Sequence, residues 1–592
     1  MSAEPISYTL SFTDREHHYV DVKADVPCRD APAVELMMAV WTPGSYLVRE
    51  YSRHVEGVRA TTPEGSPLDV RKSRKNRWRI ASGGASKIVV TYRVYCRDMS
   101  VRGNWVDEEF ALLNGAPTFL TLQEEGPRPH EVCYELPSGW GRCLSPLPAD
   151  PQRGECHFRA PDYDTLVDSP CVAGNPAVHE FEVGGRKHYL VNQGGEGIWD
   201  GARSAADVEK LVEEQQRMWQ VVPYERYFFF NVISEAGGGL EHRNSTVIMT
   251  SRWSYRRRKA YLDWLGLVSH EFFHTWNVKR LRPLELGPFD YEEEVYTRSL
   301  WIVEGITNYY TDLVVLRAGL STEEEYLGKL SRLVRRLQTT PGRLLQSLEE
   351  SSFDAWIKLY RQDENTVNST VSYYLKGAVV AFLLDARIRR CTNGDRCLDD
   401  VLRRAYHRFA GERGFRPEEF QEMVQEVAGT DLNSWLRQAL GSVEELDYGE
   451  ALERFGLRFK DASEKSPAEE AEGRGDDRKA WLGLRASREN GRLVVTQVPR
   501  DTPAHRSGIQ VGDEIIALDD FRIPPNDWDK RLEQHLPGDQ IELLLARRER
   551  ILARQVTLGE DPGDPWRLEI DAEATEEQNL ERENWYRRPI AR

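Results

Sequence analysis

The sequence predicts a multidomain α+β protein: a β-rich N-terminal domain, a mostly helical middle and a compact C-terminal module. Three observations predict it. Apolar and polar residues alternate over the first third. Helical spacing takes over after residue 204. A polar, acidic run at 461–478 then separates the helices from a short α/β pattern. A length of 592 residues fits about three or four domains.

In the first third, Ser7–Phe12 and His18–Val22 alternate with period two, and Lys87–Tyr95 reads as a strong strand. With turn residues between them, these runs predict a β-sandwich or open sheet over 1–172. Ser204 to Trp219 has helical spacing. The apolar runs 227–233 and 245–250 read as strands on either side of a glycine cluster at 237–239. Helices are expected at 256–278, 296–316 and 373–390, which places the second domain at 173–460. The segment 461–478 lacks large apolar side chains and reads as a linker. A compact module is expected at 479–560. A charged tail, 561–592, carries Trp566, Trp585 and Tyr586, which suggests that it docks on something.

A formal charge of −17 argues against a nucleic-acid partner, which calls for a basic face. The N-terminus lacks a basic region followed by an apolar run, and no stretch reaches the roughly 18 apolar residues of a membrane span. A cytoplasmic protein is the expectation. Eight cysteines without a CxxC pair then read as free, mostly buried thiols.

The chemistry is concentrated in His270-Glu271-Phe272-Phe273-His274 and in Glu304 of the run Trp301–Gly305. Residues four apart on a helix share a face, so two imidazoles so placed can grip one zinc ion. A catalytic zinc keeps three protein ligands and one position for water, and Glu304 is the best third ligand. The metal acidifies its water, Glu271 can take the proton, and the developing oxyanion needs a further electrophile. Tyr373 and Tyr374 are both candidates for that role. The alternative is a pair of packed, hydrogen-bonded core histidines. A face holding two histidines and a glutamate among Phe272, Phe273 and Trp276 needs compensation for its polar groups, and a metal supplies it.

The segments HEFFHTWNVKRLRP and WIVEGITNYY, with Trp41–Glu50 (WTPGSYLVRE), resemble the glycyl aminopeptidase family of gluzincin metallopeptidases. The resemblance covers nearly the whole chain except the last thirty or so residues. It implies a thermolysin-like catalytic domain, zinc on His270, His274 and Glu304, and Glu271 as general base. Tyr374-Leu375-Lys376-Gly377 is similar to a motif of the related alanyl aminopeptidases, whose tyrosine stabilises the tetrahedral intermediate, so Tyr374 is preferred to Tyr373. Gly238-Gly239-Leu240-Glu241-His242 resembles the cleft-lining strand of those relatives, with Leu240 and His242 as departures. Glycines there admit a substrate backbone, and the Glu241 carboxylate is expected to bind the peptide's free amine. Asn308 and Asp312 are weaker candidates to orient a ligand. Trp481–Leu484 with the later Gly508 and Gly512 looks like a PDZ domain, in which the backbone of Leu482-Gly483-Leu484 would hold a terminal carboxylate and a strand edge would accept an extended peptide.

The function expected is a zinc aminopeptidase acting on peptides with a small, free first residue, glycine or alanine. The alternatives are a PDZ-based scaffold with weak or lost hydrolysis, and a zinc endopeptidase.

Overall fold

Strict alternation of burial along Lys87–Tyr95 and Ile6–Ser11 builds the first layer of the fold. In the computed structural model, which describes residues 4–123, 126–460 and 479–587, these strands belong to a seven-stranded sheet. Its order is His157–Ala160, His130–Glu135, Ile6–Ser11, Tyr19–Pro27, Lys87–Tyr95, Val55–Thr61, Pro67–Leu68. Ile6–Ser11 pairs in parallel with His130–Glu135 and antiparallel with Tyr19–Pro27. Two four-stranded sheets complete the N-terminal region, and Tyr8, Val22, Leu36, Val90 and Leu120 fill the core.

The chain divides into two units: Met1–Thr297 with Tyr310–Thr322 and Leu398–Val427, and Arg298–Tyr309 with Glu323–Cys397 and Ala428–Arg592. Besides the N-terminal sheets, the first unit holds a five-stranded sheet in the order Ala177–Val183, Arg186–Gln193, Arg226–Ile233, Ser245–Thr250, Gly238–Glu241. Arg226–Ile233 has parallel neighbours on both sides and is buried almost throughout, which its run of aromatic and branched residues suits. Gly238–Glu241 is the edge strand, antiparallel to Ser245–Thr250. The helix Arg258–Phe273 packs near this edge and is tied to the helix Gly201–Trp219, where Gln215 Nε2 donates to the Ser269 carbonyl at 2.8 Å.

The second unit is helical around Tyr373–Cys391, with Glu323–Gln338 and Gly449–Phe455 packed against or near it. It also carries a sheet in the order Arg485–Glu489, Arg492–Gln497, Glu514–Leu518, Gln540–Arg547, Arg550–Thr557, closed over Leu482, Val495, Ile515, Leu543 and Val556. The fold is therefore mixed α+β. The linker expected at 461–478 lies outside the described residues. Among the described residues, no helix is long and apolar enough to cross a membrane.

Candidate active site

The helix Arg258–Phe273 ends one residue short of His274, not at Val278 as the periodicity predicts. The reason is local. His274 caps the helix, and the following residues turn tightly, with Lys279 N–H donating to the His274 carbonyl. Val278 pays a backbone cost for this turn, at φ 143°, a conformation that a β-branched residue rarely adopts. The turn brings the Asn277 carbonyl back to His274, whose Nδ1 donates to it at 2.8 Å. Arg280, buried, clamps the turn by donating to the carbonyls of Thr275, Arg243 and Pro223.

A carbonyl oxygen can only accept, so His274 carries its proton on Nδ1 and its lone pair on Nε2. His270 Nδ1 is likewise engaged, 2.9 Å from Thr311 Oγ1. The two rings stand nearly perpendicular with centroids 4.7 Å apart. His270, His274 and Glu304 each offer a ligand atom, and these atoms lie within 4.8 Å of one another. Two imidazoles and a carboxylate, with imidazole Nδ1 positions held by hydrogen-bonding partners, form a donor set that suits zinc. Thr311 and the Asn277 carbonyl were not foreseen. Thr311 follows Glu304 at two helical turns, a spacing that could have pointed to it, whereas nothing in the sequence announces a backbone carbonyl.

Glu304 sits in a single π-helical turn, Trp301–Gly305, which runs on into the α-helix Ile306–Arg317. Such turns insert one extra residue and reorient the side chains within them. Gly305 lies against Gly377 of Tyr373–Cys391, and a Cβ at 305 would stand 2.7 Å from the Gly377 Cα. Asn308 Nδ2 donates to the Tyr374 carbonyl at 3.2 Å, so its role is to join the two helices. Tyr373 is fully buried, whereas Tyr374 is half-buried with its ring stacked on Tyr373 at 4.7 Å.

The glycine-rich run forms an edge strand. Gly238 has φ 117°, and a Cβ on Gly239 would collide with the Glu271 carboxylate. Strand alternation sends the Leu240 side chain into the core beside Phe230 and Val247, which leaves only its backbone at the site. Glu241 falls on the other face. It is 4% exposed, and its ligand atom lies within 4.8 Å of those of Glu271 and His274. Its carboxylate makes no hydrogen bond or ion pair within the described residues. His242 turns away, with Nδ1 3.2 Å from Asp168. Burial pushes the Asp168 carboxyl up, but the Lys279 ammonium at 2.7 Å and the His242 imidazole outweigh it and hold it down at about 2.

The N-terminal motif reaches the same place. Thr42-Pro43-Gly44-Ser45 closes a turn in which Ser45 N–H donates to the Thr42 carbonyl and Gly44 takes φ 83°. Proline followed by a left-handed glycine is the type II pattern. The turn sets Gly44 directly on the Glu241 carboxylate.

The chain matches three family models: the peptidase M61 N-terminal domain over 7–175, the M61 glycyl aminopeptidase over 263–380, and a PDZ domain over 480–558. It is also similar to an aminopeptidase N family protein from Idiomarina loihiensis, with 30% identity and a TM-score of 0.90, over 98% of this chain and 100% of that one. The chain belongs to the M61 glycyl aminopeptidase family. It is a metallo-aminopeptidase that carries a PDZ domain. More distant likenesses include an M1 zinc metallopeptidase from Deinococcus radiodurans (12% identity, TM-score 0.46, covering 75% of this chain and 95% of that one). Another is Legionella pneumophila aminopeptidase A in complex with aspartic acid (12% identity, TM-score 0.46, 74% and 49%). A comparison with curated proteins finds no match.

Proposed function

We propose that this M61 enzyme removes single small residues, glycine or alanine, from peptides with a free N-terminus, using zinc held by His270, His274 and Glu304. The observation that carries the reading is the state of Glu241. A carboxylate that is 4% exposed and has no cation or donor among the described residues is poised for one, and a peptide's ammonium group supplies it. Its ligand atom lies within 4.8 Å of those of Glu271 and His274, so an amine bound to it would bring the first peptide bond close to both residues. The Thr42–Ser45 turn and Gly239 crowd this space with backbone, which favours a small first side chain.

Zinc bound there supplies a Lewis acid that acidifies water and polarises the scissile carbonyl. Glu271 takes the proton of the attacking water and returns it to the leaving amine. The Tyr374 hydroxyl donates a hydrogen bond to the oxyanion as charge develops on it. In the PDZ domain, Arg485–Glu489 is an edge strand among the described residues, and its outer side suits an added peptide strand beside the Leu482-Gly483-Leu484 loop.

The test compares glycyl and alanyl peptides with their N-acetylated forms, with and without chelator, for the parent and Glu241→Gln. The parent should cut only the free-amine forms and lose activity on chelation. The substitution should lower kcat/KM for free amines by about ten- to a hundredfold, the loss of one charged hydrogen bond. Equal cleavage of free and acetylated peptides by the parent rejects the amine anchor.

A further inference from the structure

Beyond the PDZ domain, the strand Leu568–Ile570 and the helix Glu576–Tyr586 are built into the helical body of the second unit. Leu568–Ile570 pairs antiparallel with Leu457–Phe459, the last strand before the PDZ domain among the described residues, so the strands on either side of that domain are neighbours. Leu568 N–H also donates to Ser331 Oγ at 2.8 Å. The helix Glu576–Tyr586 then starts at a capping box formed by Thr575 and Gln578. Its Arg582 donates to the Phe455 carbonyl at 3.0 Å and to Glu323 at 2.9 Å, and its Glu581 pairs with Arg454 at 2.8 Å.

Trp585 lies at the end of this helix and is fully buried. Its ring stacks on Phe455 with centroids 4.3 Å apart and packs near Phe382 and Tyr326. The indole N–H donates to the Tyr309 hydroxyl at 2.8 Å, and that hydroxyl donates to Asp385 Oδ2 at 2.8 Å. Asp385 belongs to Tyr373–Cys391, the helix that carries Tyr374. Tyr309 follows Glu304 by five residues on the same rod. One buried chain of hydrogen bonds therefore joins the C-terminal helix, the rod of Glu304 and the helix of Tyr374.

We propose that Trp585 is a positioning residue for the Glu304 carboxylate, acting through the Tyr309 hydroxyl, so that metal binding depends on the chain beyond the PDZ domain. The proposal rests on Glu304 being a zinc ligand. The rod of Glu304 begins in an irregular π turn, where the helical ladder does not fix side-chain direction by itself. Outside support sets it: Gly305 against Gly377, Asn308 on Tyr374, and Tyr309, the next residue, between Trp585 and Asp385. An indole on a tyrosine hydroxyl is a directional tie in a buried site, which stacking alone does not supply.

The experiment measures zinc dissociation constants of the full-length protein by competition with a chromophoric chelator, together with thermal unfolding. The variants are Trp585→Phe, which keeps a stacked ring and removes the N–H, Tyr309→Phe, and the pair combined. Each single change should weaken zinc binding about tenfold, the scale on which loss of a ligand's supporting partner acts. The double change should be no worse than Tyr309→Phe alone, because both act on one route. Parent affinity in Trp585→Phe overturns the proposal, as does a double variant whose loss equals the sum of the two singles. A parent that binds no zinc overturns the ligand assignment itself, which separates the two failures.

Discussion

Gly44 rests on the carboxylate of Glu241: a Cβ at position 44 would stand 2.5 Å from both Oε atoms. The contact ties a turn of the N-terminal motif to the group assigned to amine binding, and two effects oppose any side chain there. The backbone is left-handed at φ 83°, and the carboxylate would have to move. Gly44→Ala should therefore raise KM for free-amine peptides, with kcat/KM falling about ten- to a hundredfold, the scale of a lost charged hydrogen bond. Zinc content should stay at the parent level. Steady-state kinetics with metal analysis check this; an unchanged KM would show that Glu241 does not need this seat.

Glu271 is 5% exposed beside Gly239 and is not among the three proposed ligands. Glu271→Gln keeps the shape and removes the base. Turnover should fall by about a hundredfold to ten-thousandfold, the range for general-base catalysis, while zinc stoichiometry holds. Loss of zinc together with turnover would make Glu271 a structural residue.

Much of this site was legible because its chemistry is local in sequence. His270, Glu271 and His274 share one helical segment, and the glycines before Glu241 mark a close backbone approach. The N-terminal strands were legible for the same reason, since Lys87–Tyr95 alternates along its length. What escaped depends on distant partners. Val278 adopts its strained φ to deliver a carbonyl, and carbonyls have no sequence code. Thr311 supports His270 across 41 positions. The tail's aromatic residues suggest that it docks on something, but pairing of 568–570 with 457–459 follows from strand register that no local pattern carries.

The crossing of Gly305 and Gly377 is a matter of packing. Their backbones touch, and a Cβ at 305 would also stand 2.9 Å from the Tyr373 carbonyl. Gly305→Ala forces apart the rods that carry Glu304 and Tyr374. It should destabilise the protein by about 1–3 kcal/mol or more, as overpacking does, and lower activity further than the fraction unfolded explains. Gly377→Ala, whose Cβ would meet the Gly305 Cα at 2.8 Å, should behave alike. Denaturant midpoints and activity per folded molecule measure both; a parent-like midpoint in either variant contradicts the close approach.

His188 gives the pH dependence. It is fully buried, with Nε2 2.9 Å from the Tyr224 hydroxyl and its ring edge-on to Phe272, which lies between His270 and His274 in sequence. Burial pushes its pKa down from the usual 6.5 to about 4. Between those values the unfolded chain binds a proton that the folded protein refuses. Stability from this group is therefore complete above about 6.5 and is lost as pH falls toward 4, by on the order of 2–3 kcal/mol. His188→Gln removes the titration and should flatten this part of the acid limb while lowering stability at neutral pH. Urea midpoints for parent and variant at several pH values between 4 and 8 read the difference directly. Parallel pH profiles would show that His188 is not the group behind this loss of stability in acid.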